Sequence, residues 1–242
     1  MIDRYLQEQN LGFNLTQLAT CRENMQQMIE EQFNSLRNFV AGQPTVDSVP
    51  CDGELYSYPV PELGEGGSCS LFNQVADQPF DLTTVLGTPT DYTRKTLQKL
   101  HQVVEYVVGK TQTDWFGIYQ TFGHEQQDKR LVKLAYDGAI SRSEYPLTEQ
   151  FAQISNNVQV GLSGESKVIN NVDSYVEQGG SYYTCDPKVK SEVCLPIFDS
   201  KNQVIGIIDA EAFVNDFFDA QRMALLVAAS LVISSLLPAL QM

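Results

Sequence analysis

Residues 191–213 read SEVCLPIFDSKNQVIGIIDAEAF. Two runs rich in Val, Ile, Leu and Phe flank a polar break, a pattern that predicts two antiparallel strands joined by a turn around Ser200–Asn202. Side chains alternate along a strand, so Asp209 and Glu211, two positions apart, share one face. Adjacent carboxylates repel when both are ionised. One of the pair is therefore expected to hold its proton unusually well, as a general acid must. Cys194 alternates with Val193 and Leu195 in the first strand and reads as a packing residue.

Downstream of the hairpin, Asp219 is placed to cap a helix, AQRMALLVAASLVISSLL, that ends before Pro238. Residues 223–242 carry no charge, which raises the question of a membrane anchor. Ser230, Ser234, Ser235 and Pro238 interrupt the run and no basic cluster flanks it. Burial between the sheet and another helix, including a dimer seam, is the expectation.

Upstream, TDWFGIYQTF and KRLVKLAYDG read as two further strands with a turn around 123–128. Before them, DYTRKTLQKLHQVVEYVVGK reads as a helix capped by Asp91, with Leu97, Leu100, Val103, Val104 and Val107 inward. The order of helix, strands, hairpin and helix predicts an α+β domain: a central antiparallel sheet with its N- and C-terminal helices on one face.

The first ninety residues have a different texture. Over 16–40, Leu18, Met25, Met28, Ile29, Phe33, Leu36 and Val40 recur at helical spacing. Prolines and glycines dominate 41–89, predicting a mostly irregular segment that wraps a neighbouring surface. GEGGSCS has neither the lysine nor the leading strand of a phosphate loop and reads as a flexible loop. Two units are expected: 1–90, a helix plus extension, and 91–242, the α+β domain.

Composition narrows the function. The chain has 242 residues, is 43% hydrophobic and carries a net charge of −14. That charge repels phosphate backbones and argues against nucleic acid. Five cysteines (21, 51, 69, 185 and 194) show no CxxC spacing, which suits reduced thiols in the cytoplasm. Two histidines without a paired spacing argue against a metal site, and no cofactor motif is present. The start, MIDRYLQEQNLGF, lacks the apolar run of a secretory leader.

A further stretch, 182-YYTCDPKVKSEVCLPIFD-199, adds a thiol to the acids. With TDWFGIY, KLAYDGAI, the hairpin and the apolar closing helix, residues from about 91 to 237 resemble a GAF domain, a PAS-like fold. Within that superfamily the chain is most similar to the free methionine-(R)-sulfoxide reductases. Thr184-Cys185-Asp186 stands for their A-C-D motif. Ser191-Glu192 precedes Leu195-Pro196 as theirs does, and Asp209 with Glu211 stands for D-x-D. Trp115 and Tyr119 match a tryptophan and a tyrosine of their first strand.

The resemblance implies that Cys185 attacks a sulfoxide sulfur and that a second cysteine resolves the product as a disulfide. It implies that Glu192, Asp209 and Glu211 hold an ammonium or protonate the leaving oxygen. Trp115 would wall the thioether methyl, with Tyr119 and Asp186 beside it. The chain departs from the family at the resolving position. Gly138-Ala139-Ile140-Ser141-Arg142 replaces G-K-I-A-C, so Arg142 stands where the second thiol would be. There it could lower the Cys185 pKa or clamp a carboxylate. The glycine-rich G-R-G-V-C-G loop is replaced by LTEQFAQISNNVQVGLSGES. The expectation is a homodimeric binder of a small ligand, an amino acid or its sulfoxide, that signals or stores without turnover. The alternative is a thiol-dependent reductase using Cys185 with an external thiol, Cys51 or Cys69.

Overall fold

The computed structural model describes residues 1–12, 19–43, 52–64, 70–123, 128–182 and 186–237. The N-terminal part contains α1 (Ile2–Glu8), α2 (Ala19–Gly42), α3 (Asp52–Tyr56), β1 (Ser57–Tyr58), β2 (Pro61–Leu63), β3 (Ser70–Val75), β4 (Phe80–Asp81) and α4 (Thr83–Leu86). There follow α5 (Asp91–Thr111), β5 (Trp115–Phe122), β6 (Arg130–Asp137), β7 (Glu144–Pro146), α6 (Glu149–Ala152) and α7 (Asn156–Ser163). The chain closes with β8 (Lys167–Ile169), α8 (Val172–Glu177), β9 (Ser191–Phe198), β10 (Val204–Ala212) and α9 (Ala220–Ser234).

The hairpin at 191–213 forms as read, with β10 beside β5 at the centre and β9 next to the edge strand in a sheet ordered β7-β6-β5-β10-β9-β8. Every pairing in it is antiparallel. Asp199 shapes the turn, its Oδ1 accepting from the amides of Lys201 and Gln203, both at 2.8 Å. All eight residues of β9 are buried, because the sheet is covered on both faces. One face sends Phe116, Ile118, Val193, Leu195, Ile197 and Ile208 into the main core beneath α2, α5 and α9. The other sends Trp115, Tyr119, Cys194 and Ile207 into a smaller cluster with Tyr145, Leu147 and Val158.

The helices differ from expectation in two places. They are not confined to one face: α7 lies on the second, against β9 and β10. It is built from the segment expected as a long loop, with Ser155 as its cap. The cap of α5 is Thr90, not Asp91. Thr90 Oγ1 accepts from the Thr93 amide at 3.1 Å, and Thr93 Oγ1 accepts from the Thr90 amide at 3.0 Å. A hydroxyl pair thus satisfies two helix-end donors, and Asp91 falls in the first turn.

Asp219 does cap α9, accepting from the Arg222 amide at 2.9 Å. Residues Met223–Ser234 are buried, and α2 covers α9 with Met25, Ile29, Leu36 and Val40 in the shared core. The apolar surfaces that pointed to a homodimer seam therefore meet each other within one chain. Among the described residues no helix is long and apolar enough to cross a membrane. The extension before α5 is more regular than its composition suggests, forming the small ladders β1–β4 and β2–β3. The middle of GEGGSCS lies outside the described residues.

Candidate functional site

Strand register assembles the acids. Glu211 on β10 pairs with Trp115 on β5 and with Glu192 on β9. Two residues back on the same face, Asp209 pairs with Gly117 and Cys194. Gly117 is required by its neighbour: a Cβ there would sit 2.2 Å from the Trp115 ring, so the indole can lie flat across the strand. Trp115 Nε1 donates to the Ala139 carbonyl at 3.0 Å, and the Tyr119 hydroxyl donates to that of Arg142 at 3.4 Å. Gly138 begins this loop at φ +120°, and a Cβ on it would meet Trp115 Cδ1 at 2.6 Å.

These residues border a cavity of about 350 Å³, within the range of small-molecule sites. Trp115, Tyr119, Arg142, Asp186, Asp209 and Glu211 line it. Glu192 lines an adjoining chamber of about 30 Å³ together with Asp209, Glu211, Asn156 and Asn157. Register and folding thus bring together seven of the eight residues singled out in the sequence. Cys185, like Cys51 and Cys69, lies outside the described residues.

The chamber is a concentration of buried acid. Asp209 is only 4% exposed. Burial first, and then the charge of Glu192, pushes its carboxyl well above the usual carboxylate range. Glu211 is pushed the same way by burial, then by Asp209 and Glu192. Burial also raises Glu192, against the opposing hydrogen bonds from Tyr182 and Asn156. Asn156 Nδ2 donates to Glu192 Oε1 at 3.0 Å, and Asn157 Nδ2 to Asp209 Oδ2 at 2.9 Å. Asp209 Oδ1 and Asn157 Oδ1 remain buried with no hydrogen-bond partner. Two unsatisfied acceptors beside three carboxyls form a site that a cationic donor would complete.

The remaining candidates divide by environment. Cys194 is fully buried, its thiol pushed up by burial and then by Asp209 and Glu192, as suits a packing residue. Arg142 is 9% exposed, with Nε donating to the Glu144 carbonyl and its guanidinium 4.9 Å from the Phe151 ring centre. Asp186 Oδ1 accepts from the Lys188 amide at 2.9 Å. The sequence reading missed Asn156 and Asn157. The Ser155-Asn156-Asn157 run is a helix-start signal that could have placed them. It also missed Pro61, Gln74 and Val75, by which the N-terminal extension walls the cavity.

A six-stranded antiparallel sheet covered on both faces, with a ligand-sized cavity at one end, suits a small-molecule-binding domain. The GAF domain family matches residues 95–237, more than half of the chain, and the chain belongs to that family. Solved structures of similar fold include the type II free methionine-R-sulfoxide reductase from Thermoplasma acidophilum. It is 20% identical with a TM-score of 0.51, and the match covers 61% of this chain and 95% of that one. A putative GAF sensor protein from Burkholderia vietnamiensis is 13% identical with a TM-score of 0.53, the match covering 88% of this chain and 94% of that one. At such identities the likeness is one of fold. No curated protein matches the sequence.

Proposed function

We propose that the chain is a ligand-binding GAF protein whose cavity takes a small zwitterion, an amino acid or its sulfoxide, and holds it without turnover. The observation that carries the reading is the buried, unpartnered Oδ1 of Asp209 in the wall of a 350 Å³ cavity. A ligand ammonium would supply the missing donor and neutralise the crowded acids. Trp115 and Tyr119 offer an apolar wall for the side chain, and Arg142 and Lys188 offer cations for a carboxylate. Occupancy rather than product is then the output, as in sensing or storage. Five cysteines without a metal or disulfide spacing fit a cytoplasmic protein.

One observation favours the enzyme reading. Acids that hold their protons above the usual range could protonate the sulfoxide oxygen as the Cys185 thiolate attacks sulfur; the oxygen then passes to the Cys185 sulfur as a sulfenic acid and methionine leaves as the thioether. Resolution of the resulting sulfenic acid would then need an external thiol, Cys51 or Cys69.

Trp115 is the only tryptophan, so its fluorescence reports on the cavity. Titration with free L-methionine-(R)-sulfoxide and with L-methionine should give a saturable change that Asp209→Asn weakens at least tenfold. No saturable response up to millimolar ligand overturns the zwitterion reading. Multiple turnovers to methionine with dithiothreitol, abolished by Cys185→Ser, replace it with the reductase.

A further inference from the structure

Lys133, in the middle of β6, has no exposed surface. Among the described residues no carboxylate pairs with it. Its Nζ donates to the Ser141 carbonyl at 2.8 Å and to Ser141 Oγ at 2.6 Å. The same nitrogen lies 3.8 Å from the Tyr136 ring centre, 5.0 Å from that of Tyr58 and 5.9 Å from Trp115. A register shift between β5 and β6 sets Lys133 opposite Tyr119. The irregularity re-aims the side chain towards the cavity face.

Burying an amine is expensive, and an apolar side chain of equal length would fill the space at lower cost. What the lysine adds is direction: two bonds to a residue in the cavity wall.

The main chain of Lys133 carries a second connection. The Tyr58 hydroxyl, from β1 of the N-terminal extension, donates to the Lys133 carbonyl at 2.6 Å. The Tyr58 ring packs on Tyr136 and Phe80, with centres 5.6 Å away in each case. Three residues further on, the extension delivers Pro61 to the cavity wall. Across the β2–β3 ladder Pro61 pairs with Val75, which also lines the cavity although it is 53% exposed. Isolated two-stranded ladders of this length are marginal by themselves. Their place over the cavity therefore depends on docking points such as Tyr58.

We propose that Lys133 is the positioning residue of the site. Its side-chain amine clamps the 138–142 wall through Ser141, while its carbonyl anchors the extension through Tyr58, so that Pro61, Gln74 and Val75 set the size of ligand admitted. The inference deepens the ligand-binding reading, but the clamp itself can be tested without ligand.

The test uses the full chain with three variants. Lys133→Met keeps length and removes the donors, Tyr58→Phe keeps the ring and removes the hydroxyl, and Ser141→Ala removes one acceptor. Acrylamide quenching of Trp115 and hydrogen exchange are read together. Lys133→Met should raise the quenching constant at least twofold and speed exchange at 138–142 at least tenfold, with α9 protection unchanged. Ser141→Ala should loosen 138–142 alone, and Tyr58→Phe should loosen 57–63 alone. Unchanged quenching and exchange in Lys133→Met overturns the proposal. So does a loss of protection that includes α9 equally, since Lys133 would then be an ordinary core residue. Wild-type protein that ignores methionine sulfoxide while the variants behave as described loses the ligand assignment only.

Discussion

Replacing Asp209 with asparagine should stabilise the protein at neutral and alkaline pH. The carboxyl is held well above its ordinary value of 3.8, by burial first and Glu192 second. Between that ordinary value and the raised one, the folded chain binds more protons than the unfolded chain. Stability is therefore fully present at the acid end of this window and is lost as pH rises through it. A single titrating group contributes a slope of about 1.4 kcal/mol per pH unit. For a chain of this length that corresponds to about 3–6 °C in Tm per unit. Glu192 and Glu211 interact with Asp209, so the measured slope belongs to the cluster.

His101 acts in the opposite sense. Burial pushes it down from 6.5 to about 4, so its contribution grows with pH up to 6.5 and is constant above. The informative comparison is thus the Tm of wild type and Asp209→Asn from pH 6.5 to 8.5. Asparagine keeps the shape and can still accept from Asn157, but it carries no charge. The variant should show the flatter profile and the higher Tm at pH 8, together with weaker ligand binding. Parallel profiles, or a variant less stable at pH 8, would refute the account of the acid chamber.

Two further outcomes are expected. In native protein a brief iodoacetamide pulse should label exposed Cys21 and spare buried Cys194, with Cys185 labelled before Cys194; mass mapping that finds Cys194 modified as fast as Cys21 contradicts its packing role. Gly117→Ala should destabilise by about 1–3 kcal/mol and shift Trp115 emission, because the new Cβ meets the indole at 2.2 Å; wild-type Tm and emission would show that the ring does not lie across the strand.

The sheet was legible because its strands carry period-two patterns and its hairpin has a polar break. Asp209 and Glu211 could be placed on one face from their spacing alone. Their meeting with Glu192 depends on register between strands, which the local pattern does not encode. The 147–166 segment was misjudged for a related reason. Its helix α7 is only eight residues long and has a weak apolar stripe, so tertiary contact rather than propensity fixes it. Asn156 and Asn157 went unseen with it. The extension was obscured by its prolines and glycines, since strands of two or three residues leave no periodic signal. Lys133 was not singled out in the sequence. Only the register shift opposite Tyr119 turns it inward.

Chemistry at this site is constrained by what is fixed and what is not. The loop bearing Arg142 is tied by Trp115 at Ala139, by Lys133 at Ser141 and by Tyr119 at Arg142. Lys133 also donates its amide to the Ser143 carbonyl at 2.8 Å. A resolving group must approach the sulfur it attacks. In the reductases the resemblance assigns that step to a thiol at the position Arg142 holds, and a guanidinium cannot form a disulfide. The reductase reading would need its second thiol at another position of the chain or from solution, and a prepositioned thiol is worth several kcal/mol. The acid chamber is under no such handicap. Its carboxyls lie within one row or two of the sheet, braced by Asn156 and Asn157, and burial holds them above the usual carboxylate range. In the reading proposed above, a ligand ammonium would meet them without a second thiol or movement of the loop. The capture reading proposed above therefore asks nothing of a second thiol, whereas the reductase reading would.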